Sequence, residues 1–107
     1  MTQVNRYARR TYLDEDADLI RSLLSPEATP PEGSHRLFIL YAVLMRAKGV
    51  NTTLSDVHDA WAAWKQGNDP LHFCLIPFAD LDDETQSLDV PYLQAIHAAA
   101  REQSRIS

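Results

Sequence analysis

The stretch SHRLFILYAVLMRAK, residues 34–48, determines how the rest of this chain can fold. Its apolar residues occupy nearly every side of a helix with 3.6 residues per turn, so other helices must surround it. Ser34 stands at a favourable N-cap position, while Arg46 and Lys48 suit the negative end of the helix dipole. Gly49 follows as a residue that readily ends a helix. We therefore predict a central, buried helix here.

A shorter amphipathic helix is predicted before it, in TYLDEDADLIRSLL, residues 11–24. Thr11 and Asp14 have the spacing of a capping box, in which each side chain bonds the other residue's backbone N–H. Pro26 should end this helix, because the residue before a proline avoids the helical region. The loop SPEATPPEG, residues 25–33, contains three prolines and is expected to be stiff.

A third helix is predicted in TLSDVHDAWAAWKQ, residues 53–66. Thr53 and Asp56 repeat the spacing of a capping box at its start. The GNDP sequence that follows contains a glycine and a proline, which together stop the helix. A valine and two tryptophans share one side of this helix at i, i+4 and i+7: Val57, Trp61 and Trp64.

The apolar stretch LHFCLIPF, residues 71–78, is too short for an independent helix, and Pro77 would interrupt one. We predict that it forms a buried, irregular connector between helices. A short helical turn is expected in ADLDDETQ, residues 79–86. Asp89 should then cap the last helix, with Pro91 near its first position, where the missing N–H costs nothing.

These segments together predict an all-α fold, a small bundle of four main helices with an irregular apolar connector between the third and fourth. The chain has 107 residues, which suits one domain that buries a core without disulfides. We expect residues 11–107 to form this domain and residues 1–10 to be a polar arm. The hydrophobic fraction of 45% and the charged fraction of 23% are typical of globular rather than disordered proteins.

Charge and hydropathy exclude several classes of protein. The net charge of −5 argues against general binding to nucleic-acid backbones, and Arg6, Arg9 and Arg10 form only a small basic end. The longest apolar run, residues 37–45, is much shorter than the roughly 20 residues of a membrane span. The polar N-terminus carries no secretory signal, and a single cysteine suits a reducing compartment. We expect a cytoplasmic protein without a membrane or nucleic-acid partner.

Cys74 and His72 are the residues that would suit an enzyme, as nucleophile and base. They are two positions apart, so an extended segment would direct both to the same side. Their neighbours are apolar, however, and a cysteine in such surroundings usually behaves as a small hydrophobic residue. The histidines and the cysteine also lack the spacing of a zinc site. We expect no catalysis, cofactor or metal, with a small Cys/His enzyme as the less favoured alternative.

A different set of side chains favours binding. His58, Trp61 and Lys65 share one side of the third predicted helix at i, i+3 and i+7. An imidazole, an indole and an ammonium group could together hold a flat anionic ligand by hydrogen bonding and stacking. In the alternative interpretation Trp61 belongs to the core, and His58 and Lys65 extend along its edge toward water. The residues by themselves leave both interpretations open.

Two of these segments resemble the RyR domain, the small repeat first described in ryanodine receptors and also found in bacterial and phage proteins. The family's His-acidic-x-Trp segment is matched by HDAW at residues 58–61. Its later segment, similar to His-Pro-Cys-Leu-Val-Pro-Tyr-x-x-Leu, is matched by HFCLIPFADL at residues 72–81, with Asp89 at the later acidic position. The resemblance covers residues 54–97. Phe73 replaces the family's proline, and an aromatic insert between the segments is reduced to QGNDP.

The resemblance implies a non-catalytic module for interaction or ligand sensing, because prokaryotic members have been proposed to sense nucleotides near defence systems. As a whole, the chain is similar to small proteins of actinobacteria and their phages. We therefore expect a module that senses or sequesters a small anionic, nucleotide-like ligand in phage–host defence. A protein–protein interaction, including a homodimer through the two-tryptophan helix, is the alternative. The expected ligand-binding residues are His58, Trp61, Lys65, His72, Phe78 and Asp89.

Overall fold

The computed structural model describes residues 9–106, so most of the expected polar arm lies outside the described residues. Within that range four long helices and one short helix form a small all-α bundle, which confirms the predicted fold class, and there is no β-strand. Two short 3-10 turns in the same range, Gly49–Asn51 and Phe78–Asp80, join helices. The helices are α1 (Tyr12–Ser22), α2 (His35–Lys48), α3 (Leu54–Gln66), α4 (Asp83–Ser87) and α5 (Val90–Ile106).

Helix α2 lies at the centre of the bundle, as its apolar sequence predicts. It packs against α1, α3 and α5, and its Phe38, Tyr41 and Ala42 are fully buried. The rings of Phe38 and Tyr41 meet edge-on with centroids 5.4 Å apart. Each such large side chain stabilises the fold by about 1.5–3 kcal/mol through the apolar surface it removes from water. One side of α2 remains open to solvent, because Val43 is 45% exposed.

The two predicted capping boxes are confirmed. The Asp14 backbone N–H donates to the Thr11 hydroxyl at 3.3 Å, and the Thr11 N–H donates to the Asp14 carboxylate at 2.8 Å. The equivalent bonds between Asp56 and Thr53 measure 3.1 and 2.9 Å. These bonds satisfy backbone N–H groups that the first turn of a helix leaves without partners. Local sequence therefore determines where α1 and α3 begin.

The junction between α1 and α2 differs from the predicted one in two respects. Helix α1 ends at Ser22, before the expected boundary at Pro26, and the Ser22 hydroxyl donates to the Leu19 carbonyl at 2.7 Å. Such side-chain bonds to nearby carbonyls compete with continued helix. Ser34 occupies the N-cap position of α2, but its side chain makes no capping bond. Its buried hydroxyl instead accepts from the Arg21 guanidinium at 3.1 Å, which joins the end of α1 to the start of α2.

The turn after α2 links that helix to α5. Gly49 has φ 55°, a left-handed conformation that glycine adopts without the steric cost of a side chain. The buried Thr52 hydroxyl donates to the Gly49 carbonyl at 2.7 Å, and His97 Nε2 donates to the Thr52 carbonyl at 2.8 Å. The predicted end of α2 is therefore confirmed, and this turn is held from the side of α5.

The connector between α3 and α4 is irregular, as predicted, but the prediction that it is buried is wrong. Leu71 is 92% exposed and Phe73 is 82% exposed. Hydrogen bonds from the His72 N–H to the Asp69 carbonyl and from the Leu75 N–H to the His72 carbonyl form consecutive turns. A chain that turns so tightly satisfies its own backbone at the surface and directs alternate side chains to solvent.

Helix α5 closes the bundle with a small apolar face, in which Ala95, Ile96 and Ala99 are buried. It begins at Val90, so Pro91 occupies its second position, near the first as predicted. None of the helices in the described part of the chain has the length and apolar content needed to cross a membrane.

Candidate functional site

A pocket of about 690 Å³ lies between α2, α3, the connector and the start of α5. The loop after α1 closes another side of it through Glu27, Ala28, Thr29 and Pro31. This volume falls within the range of small-molecule sites, which are mostly apolar with a few converging polar groups. The side chains in its wall that can form hydrogen bonds or stack on a ring include Tyr41, His58, Trp61, His72, Asp89 and Tyr92.

The pocket brings together much of the surface expected from the sequence. Four of the six expected ligand-binding residues line it: His58, Trp61, His72 and Asp89. Phe78 lies behind the wall, with its ring centroid 6.2 Å from that of His58. Lys65 is not among the lining residues, and its Nζ lies 5.8 Å from the ring centroid of Trp64. The expected imidazole–indole pair is therefore formed, and the ammonium group is placed elsewhere on α3.

His58 is buried in the wall, with only 4% of its surface exposed. The idea that it extends along the edge of Trp61 toward water is therefore wrong. Its Nε2 donates to the Ile76 carbonyl at 2.7 Å, which leaves Nδ1 as the ring nitrogen without this bond. The imidazole also stacks on Trp61, with ring centroids 5.6 Å apart and an interplanar angle of 24°. His58 thus fastens the connector to α3 and presents its other edge to the pocket.

His72 holds the turn of the connector through its own ring. The Cys74 backbone N–H donates to His72 Nδ1 at 3.0 Å, so the neutral imidazole carries its proton on Nε2. The ring meets Trp61 edge-on at 5.2 Å and stacks on Phe73 at 5.0 Å. The two residues of the supposed Cys/His pair therefore meet through a backbone N–H rather than through the thiol. In the described residues, no group of three or more His, Cys, Asp or Glu side chains could hold a metal ion.

Asp89 immediately precedes α5 and holds the predicted cap position, where its carbonyl accepts from the Leu93 N–H at 3.0 Å, but its side chain does not cap the helix. Within residues 9–106 its half-buried carboxylate accepts no hydrogen bond, whereas the Asp82 carboxylate accepts one from the Thr85 N–H at the start of α4. Burial raises the pKa of Asp89 to about 6, and the charge of His58 opposes that rise. A carboxylate without internal donors is well suited to accept hydrogen bonds from a bound molecule.

Two tyrosines complete the wall beside Asp89. Burial first, and then the negative charge of Asp89, raise the pKa of Tyr41 and of Tyr92 above their ordinary value. Their ring centroids lie 5.8 Å apart, so they pack on each other rather than face each other across the pocket. Both hydroxyls stay protonated at neutral pH and can donate as well as accept hydrogen bonds.

The electrostatic character of the pocket differs from that of a phosphate site. Its lining within the described residues includes the carboxylates of Glu27 and Asp89 and no lysine or arginine. Arg21 is a neighbouring cation, and its charge opposes the rise in the pKa of Tyr92. Its guanidinium lies 4.5 Å from the ring centroid of Phe38. The interior of the pocket therefore favours hydrogen-bond donors over anions.

Sequence reasoning missed the tyrosines and the proline-rich loop as parts of this site. Tyr41 lies in a helix that was interpreted only as core, although a hydroxyl in such an apolar stretch must find a polar environment. The loop of residues 25–33 was expected to be stiff, but no pattern within it indicates which element it packs against. Whether the tyrosines and the loop line the pocket depends on how α2, α5 and residues 25–33 pack against one another.

A buried polar cluster elsewhere was also missed. Asp16 of α1 is 4% exposed and accepts from the Arg46 Nε at 2.5 Å and from the Gln103 Nε2 at 2.5 Å. These bonds tie α1 to α2 and α5. The sequence did contain a signal, because Asp16 follows Leu13 by three positions and precedes Ile20 by four, which puts it on the core side of α1. These hydrogen bonds stabilise the buried charge of Asp16 and hold helices together, so we interpret the cluster as structural.

Comparison with known proteins assigns the chain to a family but not to an activity. No curated protein and no solved structure matches it. A family model described as Domain of unknown function (DUF7701) matches residues 11–101, which include every residue of the pocket wall. The resemblance to RyR domains stays a prediction. Because the match covers most of the sequence, this chain belongs to the family described as Domain of unknown function (DUF7701).

Proposed function

We propose that this protein is a non-catalytic binding module that senses or sequesters a small nucleotide-like ligand, with the ring of that ligand inside the pocket. The observation that carries the proposal is the continuous wall formed by His58, Trp61 and His72 beside the Asp89 carboxylate. A flat ring can stack on such a wall while its edge forms hydrogen bonds. Stacking of a base on an aromatic side chain contributes about 1–3 kcal/mol.

The polar groups of the wall suit the edge of a heterocycle. His72 offers an Nε2–H donor, because its Nδ1 already accepts a bond from Cys74. His58 offers its Nδ1, and Asp89 offers two carboxylate oxygens. A few fixed donors and acceptors within an apolar pocket are what orient a small ligand.

The phosphate of such a ligand belongs outside the pocket in this proposal. A phosphate inside would meet the negative charges of Glu27 and Asp89 without a lysine or arginine in the described wall. The sequence favoured Lys65 and His58 as phosphate contacts, but Lys65 lies near Trp64 and the His58 Nε2–H is bonded to Ile76. We therefore place the phosphate at the mouth, where water solvates it, and assign most of the affinity to the ring.

Calorimetric titration with nucleosides, their monophosphates and cyclic nucleotides tests this function. We expect binding that changes little with the number of phosphates. Trp61→Leu should weaken it by about fivefold or more, which is the lower end of the loss expected for one stacking partner. Trp64→Leu is the matched control, because Trp64 lies on the same helix but outside the pocket wall and should leave affinity within about twofold. Absence of heat with every compound at millimolar concentration would remove this function.

A second candidate function is protein–protein interaction or self-association. It is favoured by exposed apolar side chains at the mouth of the pocket, where Phe73 is 82% and Leu88 is 66% exposed, and by Leu71 nearby in sequence, which is 92% exposed. Contiguous apolar surface of this kind often marks an interaction site. Light scattering at high protein concentration tests self-association, and a strictly monomeric mass would exclude it.

The cellular setting is also a proposal. Cys74 is a free, half-buried thiol, which suits the reducing cytoplasm. A role in phage–host defence is supported by the RyR-like segments at residues 58–61 and 72–81.

A further inference from the structure

We propose that Asp89 selects the ligand by accepting hydrogen bonds from two adjacent N–H groups on the edge of its ring, so that the pocket prefers a guanine-type ring to an adenine-type ring. This inference rests on the proposed function, since it concerns which ring the same pocket takes. In this proposal Asp89 determines which ring binds, and that role is separate from its position at the start of α5.

The first argument is the state of the carboxylate. Asp89 is half-buried in the pocket wall, and within the described part of the chain no donor is hydrogen-bonded to its oxygens. A charged group that loses water without gaining a donor is destabilised, and two donors from a ligand would offset that loss. Guanine carries N1–H and an amino group side by side, which matches two carboxylate oxygens. Adenine presents an amino group beside an acceptor nitrogen, whose lone pair would face the carboxylate.

The second argument is that the described pocket wall contains no lysine or arginine that competes for Asp89. The titratable groups that face it come from each packed element: His58 from α3, Tyr41 from α2 and Tyr92 from α5. Glu27 of the proline-rich loop lines the same pocket and adds a second negative charge. Asp89 thus keeps its capacity to accept, and the charge of the wall favours an edge made of donors.

The arrangement of the rings argues for a flat ligand rather than an ammonium ion. His58 and Trp61 stack at 5.6 Å, and Trp61 meets His72 at 5.2 Å. A cage for a cation needs ring faces directed at a common centre. Here His58 covers one face of Trp61 and His72 meets the indole edge-on at 80°, so a planar ring can lie against His72 and the uncovered part of Trp61 with its edge toward Asp89.

The proposed hydrogen bonds between Asp89 and the ligand make the affinity for the ligand depend on pH. Acceptance of two N–H groups requires the ionised carboxylate, and burial raises the pKa of Asp89 to about 6. Guanosine should therefore bind well at pH 7.5 and lose affinity as the pH falls through 6 toward 5. The variant Asp89→Asn lacks the titrating group, so it separates this effect from any titration of His58.

The experiment is a calorimetric titration of the whole protein with guanosine, inosine and adenosine at pH 7.5 and pH 5. We expect guanosine to bind at least about tenfold more tightly than adenosine, because hydrogen bonds to a charged acceptor are stronger than neutral ones. Inosine keeps N1–H and lacks the amino group, so it should fall between them. Asp89→Asn should weaken guanosine by about tenfold or more and leave adenosine within about threefold. Glu27→Gln, which changes the other lining carboxylate, should keep the order of the three ligands.

The outcomes distinguish this inference from the function on which it rests. If nucleosides bind but adenosine equals or exceeds guanosine, or if Asp89→Asn keeps the preference, the role of Asp89 is overturned and the binding function stands. If neither the nucleosides nor the nucleotides of the first titration bind the unmodified protein, both fall. Asp89→Glu provides a second variant that keeps the charge, and it should retain the preference for guanosine and the loss of affinity at low pH.

Discussion

The Nε2 of His58 donates to the backbone carbonyl of Ile76 across 2.7 Å, and this bond joins the buried face of α3 to the exposed connector. It connects two segments that are 18 positions apart in the sequence. The connector supplies His72, Phe73 and Cys74 to the pocket, so the position of these three residues depends on this bond.

Replacement of His58 should release the connector. His58→Ala removes the donor to Ile76 and leaves a cavity, and we expect the free energy of unfolding to fall by about 2–4 kcal/mol. Amide hydrogen exchange should accelerate in residues 71–77 more than in α5. His58→Gln keeps a donor and should restore part of the protection. Equal acceleration in both regions would contradict a local role.

Removal of the charge at Asp89 should stabilise the protein. The folded pKa of about 6 lies above the ordinary value of about 3.9, so the folded state binds the proton more tightly and stability decreases as the pH rises from about 4 to about 6. We expect Asp89→Asn to raise the free energy of unfolding by about 1 kcal/mol at pH 7.5, a value reduced for the partial exposure of the group. At pH 4 the gain should nearly vanish. Urea unfolding at both pH values measures the difference, and a loss of stability at pH 7.5 would show that the carboxylate has a stabilising partner.

The buried cluster at Asp16 predicts an asymmetric response to mutation. Arg46→Met removes both guanidinium bonds to the buried Asp16 carboxylate and keeps its charge, so it should destabilise more than Asp16→Asn, which removes the charge itself. For Asp16→Asn we expect a loss of about 1–2 kcal/mol from weakened hydrogen bonds. Arg105→Ala is the control, because its bridge to Glu102 spans 3.6 Å at an exposed site and should matter little. Equal losses for Arg46→Met and Asp16→Asn in urea unfolding at pH 7 would argue against an uncompensated charge.

Acid should weaken the start of α1 within a defined range. The hydrogen bond with His35, followed by the bond from the Thr11 backbone, lowers the pKa of Asp14 to about 2. Its folded value lies below the unfolded one, so its contribution is present above about pH 4 and is lost as the pH falls toward 2. Asp14→Asn should flatten the dependence of stability on pH in that range. Thermal unfolding of both proteins measured between about pH 2 and pH 4 makes this comparison.

The parts of the fold that local sequence determines were predicted well. Thr11 with Asp14 and Thr53 with Asp56 begin their helices through bonds that span three positions, so no distant residue is needed. Gly49 likewise ends α2 through its own backbone conformation. Errors of a few residues at Pro26 arose because the helix can stop earlier through a side-chain bond.

The burial of the connector and the state of Asp89 could not be predicted in the same way. An apolar stretch such as residues 71–78 is buried only where another element covers it, and the turns at His72 and Leu75 leave Leu71 and Phe73 uncovered. Asp89 has the sequence position of an N-cap, but it shares the pocket wall with Tyr41, a residue of α2 that is distant in the sequence. Such relationships are properties of the assembled bundle.

The position of Lys65 illustrates the limit of reasoning from helix faces. A spacing of seven from His58 puts the two backbone positions on one side of α3. The lysine side chain is long and flexible, however, and its ammonium group lies near Trp64 rather than in the pocket. Helical periodicity predicts the position of the first side-chain atoms of Lys65 but not the position of its ammonium group.

The proline-rich loop that closes the pocket affects the kinetics of any encounter with a ligand. Pro30 and Pro31 restrict their own backbone dihedrals and those of the residues before them, whether or not a ligand is present. This side of the pocket is therefore ordered before a ligand binds. The binding free energy is not reduced by the loss of backbone entropy, about 1–2 kcal/mol for each residue, that a flexible loop would suffer on binding. Association should then proceed at a rate set by diffusion and orientation at the mouth, without a slow closing step.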